Sequence, residues 1–207
     1  MFKVKCAFFL TIILISRNGF AGFDTQQLTF SVGMVNASYT ENASNLEGAA
    51  SSSMSSASGA ASVLPVDILW EFYQNSKNSF FARVTAPLLT AGKDSYFSIS
   101  GGINKYFNSL SSPGDFRDQA DSIRIVPKIR YYYGFQAGAG YLVYSTKTAK
   151  KSDILADLSA HVGLIYSINS QWGIRGETGY ARAIGVATTT SVIRAFVGFT
   201  RDVNEFF

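Results

Sequence analysis

Asp157, Ser159 and His161 occupy alternate positions along one segment of the sequence, and Glu177 follows in the next segment. In an extended strand alternate residues share a face, so a carboxylate, a hydroxyl and an imidazole would lie side by side. These are the residue types of an orienting acid, a nucleophile and a general base. The spacing therefore makes His161, Ser159 and Glu177 candidates for a hydrolase site.

The segments that would position these residues alternate apolar and polar side chains with a period of two, which is typical of β-strands. Eight such runs follow one another: 27–34, 66–73, 80–86, 97–104, 128–143, 157–166, 172–180 and 192–199. No capped segment with a helical period separates them, which disfavours a parallel βαβ architecture. The pattern predicts an all-β antiparallel meander.

The composition suggests where one face of these strands lies. Charged residues make up only 15% of the chain, below the ~25% usual for soluble domains. Beyond the N-terminus no apolar stretch is long enough for a transmembrane helix, which needs ~20 residues. A strand that presents alternate residues to lipid needs no continuous apolar run, and only a closed barrel satisfies all backbone groups there.

The first twenty-one residues are predicted to be a signal peptide that is removed. Lys3 and Lys5 precede an apolar run over 6–15, and a short polar segment ends at Ala21. This is the order of a secretory signal, and about ten apolar residues are too few for a membrane anchor. The mature domain is then 22–207.

Cleavage also removes three of the 18 basic residues and the single cysteine, leaving 15 basic against 14 acidic residues. A chain without cysteine has neither disulfides nor thiolate metal sites. No metal and no cofactor are predicted. With a net charge near zero and no consistently basic face, nucleic-acid binding is not expected.

The fold prediction is a transmembrane antiparallel up-and-down β-barrel of eight strands, an even number that places both ends in the periplasm. A ten-stranded barrel is the alternative, because Ile123 and Ile125 extend the fifth run upstream. Residues 40–62 would form a Ser/Ala-rich external loop, and residues 108–121 an unusually long periplasmic connection.

The alternating runs, the segment 137–141 (AGAGY) and the terminal Phe207 resemble the OmpA/OmpX-type small outer-membrane β-barrels. The resemblance covers roughly residues 26–207, and its motifs reflect the membrane environment more than a shared activity. It implies that Phe207 is read by the barrel-assembly machinery. Residues 201–205 interrupt the expected alternation, so either this signal is weak or the last strand ends near Thr200.

An eight-stranded barrel has an interior that side chains fill, and buried charges of both signs should pair there. The strand phases place eight such charges inward: Asp67, Glu71, Arg83, Arg130, Asp157, Arg175, Glu177 and Arg194. Lys128 lies near one end of the same face. The favoured interpretation is a structural network of ion pairs. The alternative is a narrow path for ions or small solutes.

An enzymatic alternative is lipid A acyl hydrolysis, because the outer-membrane deacylases are small barrels that use a histidine, a serine and an acid. In that group the histidine precedes the serine and the site opens toward lipid. Here Ser159 precedes His161, and the strand phase turns His161 inward. An interior histidine held by hydrogen bonds is therefore favoured over a catalytic one.

Aromatic residues on the outer face are predicted to mark the two lipid–water boundaries. The candidates are Trp70, Trp172, Tyr131, Tyr141 and Tyr180. The sequence as a whole predicts a monomeric, non-enzymatic outer-membrane protein with a structural, envelope-stabilising or surface-interaction role. Its expected partners are outer-membrane lipids, lipopolysaccharide and, during insertion, the barrel-assembly machinery.

Overall fold

The computed structural model describes residues 25–41, 58–74, 77–88, 94–107, 114–117, 122–125, 127–145, 150–169 and 171–203. These ranges contain eleven strands: β1 Thr25–Glu41, β2 Ser58–Val63, β3 Pro65–Tyr73, β4 Asn78–Pro87, β5 Ser95–Tyr106, β6 Gly114–Arg117, β7 Ser122–Ile125, β8 Ile129–Ser145, β9 Lys150–Ser167, β10 Trp172–Gly185 and β11 Thr188–Asp202. Within these ranges, no helix has the length and apolar character to cross a bilayer.

Nine of the strands form one antiparallel sheet that closes into a barrel. Each strand pairs with its neighbour, and β11 pairs back onto β1 from Gln27–Asp202 to Glu41–Thr188. Both β2 and β3 pair with β1 and are separated by Leu64 alone, so together they fill one position in the wall. The predicted eight-stranded antiparallel barrel is confirmed, and the ten-stranded alternative is wrong.

The residues that suggested ten strands form a separate hairpin. Ile123 and Ile125 lie in β7, which pairs only with β6 among the described strands. The barrel resumes in β8 after Pro127, which has no N–H to donate to a ladder and therefore separates the hairpin from the long strand. The two-residue period of Ile123 and Ile125 continues in phase into β8, which is why the sequence also allowed ten strands.

The strand register sets the width of the barrel. Following cross-strand partners once around the wall from Asn36 leads back to β1 at Gln26, ten residues earlier. Eight strands with this stagger tilt by about 35–45° from the barrel axis and leave an interior that side chains can fill. Charges on opposite walls can therefore touch.

Alternation assigns each residue to the interior or to the outer surface. On β10, Arg175 and Glu177 are buried, whereas Trp172, Ile174 and Tyr180 are exposed. We call the end that contains Gln27 and Asp202 the lower end, and the end that contains Glu41 and Thr188 the upper end.

Large aromatic residues fit inside the wall where a neighbouring strand carries glycine. A Cβ atom at Gly163 would overlap the hydroxyl of Tyr132, and one at Gly59 would overlap the ring of Tyr39. These glycines are required by close approach, because no side chain larger than hydrogen fits beside the ring.

The strands at the upper end are longer than the sequence predicted. The expected external loop 40–62 is wrong at both margins, because β1 continues to Glu41 and β2 begins at Ser58. The physical reason is that alternating small residues such as Ser38 and Ala60 carry little hydrophobic contrast, although they pair in regular register. The lower end also differs, since β11 continues past Thr200 to Asp202. The predicted signal peptide 1–21 and Phe207 lie outside the described residues.

Candidate functional site: the barrel interior

The lower and middle parts of the barrel interior hold a dense set of charged side chains from six strands. The structure places every predicted interior charge on the buried face: Asp67, Glu71, Arg83, Arg130, Asp157, Arg175, Glu177 and Arg194. Lys128 instead lies exposed at the lower end, with its ammonium 5.7 Å from the centroid of the Tyr166 ring. The eight buried charges are not equally well satisfied.

Glu71 is fully buried and accepts hydrogen bonds from four side chains. Arg175 donates from Nη1 to Glu71 Oε2 at 2.6 Å. Asn104 and Tyr106 each donate to Oε1 at 2.7 Å, and Ser79 donates to the same oxygen. A buried carboxylate with this many donors is stabilised in its charged form.

A chain of ion pairs continues from Arg175 across the lumen. Arg175 contacts Glu177 at 3.2 Å, Glu177 Oε1 lies 2.6 Å from Arg83 Nη2, and Arg83 Nε lies 3.5 Å from Asp67 Oδ2. Thr85 donates a further hydrogen bond to Asp67 at 2.8 Å. Since β4 and β10 are four positions apart in a wall of eight, the Arg83–Glu177 pair joins opposite sides of the barrel.

Tyrosine side chains connect this chain to the lower end. Tyr132 accepts a hydrogen bond from Arg175 Nε at 2.7 Å and donates to Glu177 at 2.8 Å. Below it, Arg130 donates to the Tyr73 hydroxyl at 3.0 Å and lies 5.6–5.7 Å from the ring centroids of Tyr73 and Tyr106. The arginines thus combine hydrogen bonding with cation–π contacts in a desolvated setting.

The pair Arg194–Asp157 is more loosely held than the rest. Arg194 Nη2 lies 3.6 Å from Asp157 Oδ2, the oxygen to which Tyr96 donates at 3.0 Å. Within the described part of the chain, Arg194 Nη1, Arg194 Nη2 and Asp157 Oδ1 make no hydrogen bond. Buried polar atoms without partners destabilise a fold, so this pair contributes less than the Arg83–Glu177 pair.

The three candidate catalytic residues all lie in the interior but do not form a hydrogen-bonded set. His161 Nε2 lies 2.7 Å from Asn104 Oδ1, an oxygen that can only accept, so this nitrogen donates. Ser159 Oγ has no hydrogen-bond partner among the described residues. Glu177 is held by Arg83 and Arg175. His161 therefore donates a hydrogen bond to Asn104, and its ring packs edge-to-face against the rings of Phe81 and Tyr132.

The upper part of the interior is lined mainly by apolar and aromatic side chains, although Asp153, Thr188 and Thr190 are also buried there. One cluster of buried side chains contributes most of this lining, and we call this the upper cluster: Val35, Ala37, Tyr39, Ala61, Val63, Tyr96, Leu142, Tyr144, Leu155, Ala181, Ala183, Val192 and Phe196. Leu142, Leu155 and Val192 have no exposed surface. The cluster therefore covers the charged network from above.

The sequence analysis did not predict the upper cluster, because it singled out only the charged residues of the inward face. The signal was present on β1, whose inward positions change from Thr29 and Ser31 to Val35, Ala37 and Tyr39. The alternating run 27–34 ends just before this change. Continuing the two-residue period to the strand end would have revealed it.

A space with an empty volume of about 190 Å³ lies between the charged network and the upper cluster. Arg83, Glu177 and Asp67 line it together with Leu69 and Phe196.

The outer surface carries many exposed apolar side chains. Phe30, Phe135 and Phe199 are 56%, 54% and 60% exposed. The predicted boundary residues all lie on this surface: Trp172 and Tyr131 toward the lower end, Trp70 with its indole donating to Gln26 of β1, and Tyr141 and Tyr180 toward the upper end. No metal-binding group of three or more His, Cys, Asp or Glu side chains occurs in the described ranges.

Neither a protein-family model nor a curated protein matches this sequence. Solved structures do match. The outer membrane protein OprG from Pseudomonas aeruginosa is 12% identical with a TM-score of 0.51, covering 88% of this chain and 98% of OprG. The outer membrane protein AlkL, solved in lipid bilayers, is 15% identical with a TM-score of 0.50, covering 88% of this chain and 92% of AlkL. The fold is that of the small outer-membrane β-barrels.

Proposed function

We propose that this chain is an integral protein of the bacterial outer membrane that does not conduct and is not an enzyme, and that stabilises the envelope while presenting its upper end at the cell surface. The exposed apolar residues of the outer face support membrane insertion, since a monomeric soluble protein rarely exposes a continuous apolar surface of this extent. Because β1 begins and β11 ends at the lower end, the lower end faces the periplasm and the upper end the exterior.

The observation that carries the proposal is the upper cluster. A channel needs a polar path through its whole length, but here apolar side chains from both walls meet above the charged network. The ion pairs below add a second barrier, because Arg83 and Glu177 join opposite walls. Together they favour a wall with a solid interior over a pore.

Recordings in planar lipid bilayers test this proposal. The purified chain should give no stepwise currents, whereas a variant with Leu142→Gly, Leu155→Gly and Tyr96→Gly should give them, because it removes three large side chains from the upper cluster. The triple variant shows that the recording would detect an opening. Stepwise currents in the unmodified chain that change with Arg83→Ala would contradict the proposal.

The enzymatic alternative is tested by the mass of lipid A from cells that express the chain. We expect unmodified lipid A, because His161 is bonded to Asn104 and Ser159 is buried without a base in contact. Lipid A lacking an acyl chain in these cells, restored to full mass by either His161→Ala or Ser159→Ala, would establish a deacylase instead.

A further inference from the structure

Three polar side chains lie in one row on the outer face near the upper end. Arg182 of β10 pairs with Ser191 of β11, and Ser191 pairs with Ser38 of β1. Arg182 and Ser38 are exposed, and Ser191 is half-buried. Because residues directly opposite on neighbouring strands lie about 4.5–5.5 Å apart, the three side chains can contact one ligand together.

Arg182 has no partner among the residues that the structure describes, although apolar side chains surround it. Leu158 lies opposite it on β9 and is 68% exposed. On its own strand, Tyr180 and Ile184 precede and follow it on the outer face, and they are 50% and 62% exposed. An outward guanidinium between apolar residues at a membrane boundary is well placed to bind an anionic group of the membrane.

The hydroxyls beside Arg182 face the same space. Tyr180 donates to Ser191 Oγ at 3.1 Å, which leaves the Ser191 hydroxyl proton free to donate outward. Toward the lower end on β11, the next outward residue is Ile193, which is 57% exposed. A cation with hydroxyl donors above an apolar surface matches a phosphorylated sugar that carries acyl chains.

We infer that Arg182, Ser191 and Ser38 bind the phosphorylated headgroup of lipopolysaccharide, with Arg182 on the phosphate, the two serines on sugar hydroxyls, and the acyl chains against Leu158 and Ile193. This inference rests on the proposed function, because it requires that the upper end lie in the outer leaflet. The ligand of this row is therefore the phosphorylated glycolipid of the outer leaflet and not a phospholipid.

Native mass spectrometry of the full chain released from mixed-lipid bilayers tests the site. The bilayers contain lipopolysaccharide, its enzymatically dephosphorylated form and phosphatidylethanolamine. We expect lipopolysaccharide to be retained, and Arg182→Gln to lower its retention about tenfold, as the loss of one charge-assisted hydrogen bond implies. Lys105→Gln is the matched control, since it removes an outward, exposed cation near the lower end.

Each outcome separates the site from the proposed function. If the chain inserts but Arg182→Gln retains lipopolysaccharide as well as Lys105→Gln does, the site is wrong and the proposed function stands. Equal retention of the dephosphorylated lipid or of phosphatidylethanolamine also overturns the site. If the chain does not enter bilayers at all, both the proposed function and the site fail.

Discussion

At the scale of single residues, removing one member of a well-formed buried ion pair should lower the stability of the barrel, because the other charge stays buried. Glu71→Gln removes the carboxylate that faces Arg175 and leaves the guanidinium with Glu177 alone among its two acidic partners. Removing one member of a buried pair typically destabilises by ~3–5 kcal/mol. We expect a loss of that size in urea unfolding of the membrane-inserted chain, followed by tryptophan fluorescence.

The matched control is Glu41→Gln at the upper end. Glu41 also pairs with a cation, Lys151, at 2.6 Å, but the Lys151 side chain is 45% exposed. An exposed pair contributes only ~0–1 kcal/mol. Equal effects of Glu71→Gln and Glu41→Gln would show that burial of the network does not matter.

Replacing both members of the loosely held pair Arg194–Asp157 by apolar residues should not destabilise the barrel. Arg194 lies opposite Val35 of the upper cluster, and both of its terminal nitrogens make no hydrogen bond in the described part of the chain. Well-packed apolar replacements of incompletely satisfied pairs are often neutral or stabilising. The double variant Arg194→Met with Asp157→Leu should therefore unfold at a urea concentration equal to or above that of the unmodified chain.

A double-mutant cycle gives the comparison. The coupling energy between Arg194 and Asp157 should be smaller than that between Arg83 and Glu177, whose atoms approach to 2.6 Å rather than 3.6 Å. A larger coupling for Arg194 and Asp157 would contradict this ranking.

At the scale of the strands, an aromatic ring packed against a glycine of the neighbouring strand leaves no space for a larger residue at the glycine position. Gly163→Ala places a methyl group against the Tyr132 hydroxyl, which also bonds Arg175 and Glu177. Overpacking of this kind typically destabilises by ~1–3 kcal/mol. The same substitution at Gly176 is the control, because a Cβ there meets nothing within 4 Å. Thermal unfolding by circular dichroism should distinguish the two, and identical midpoints would contradict the packing argument.

The sequence predicted which residues of each strand face inward but not which inward side chains contact each other. The two-residue period placed Arg83, Glu177 and Glu71 inward because alternation is a local property of each strand. Which side chains pair across the lumen depends on the stagger of ten residues around the wall. This stagger is a property of the whole sheet and cannot be read from the pattern of one strand. The pattern likewise could not indicate that β2 begins at Ser58, since its Ser and Ala residues lack hydrophobic contrast.

At the scale of the whole molecule, the closed hydrogen-bonded wall should persist in detergent until heated. A closed barrel keeps every ladder bond within the chain and has no free edge at which unfolding can begin. We expect an unboiled sample to migrate differently from a boiled one in a detergent gel. Identical migration of the two samples would contradict a closed wall.

The seam between β1 and β11 has a consequence for the two chain ends. Val203 donates its backbone N–H to Gln26 O at 3.0 Å, so both termini of the wall emerge side by side at the lower end. The ring of strands consequently has no intrinsic first member. A circular permutant that joins the end of β11 to the start of β1 by a short linker and begins between β3 and β4 should form the same barrel. In that permutant β3 is the last strand to be synthesised.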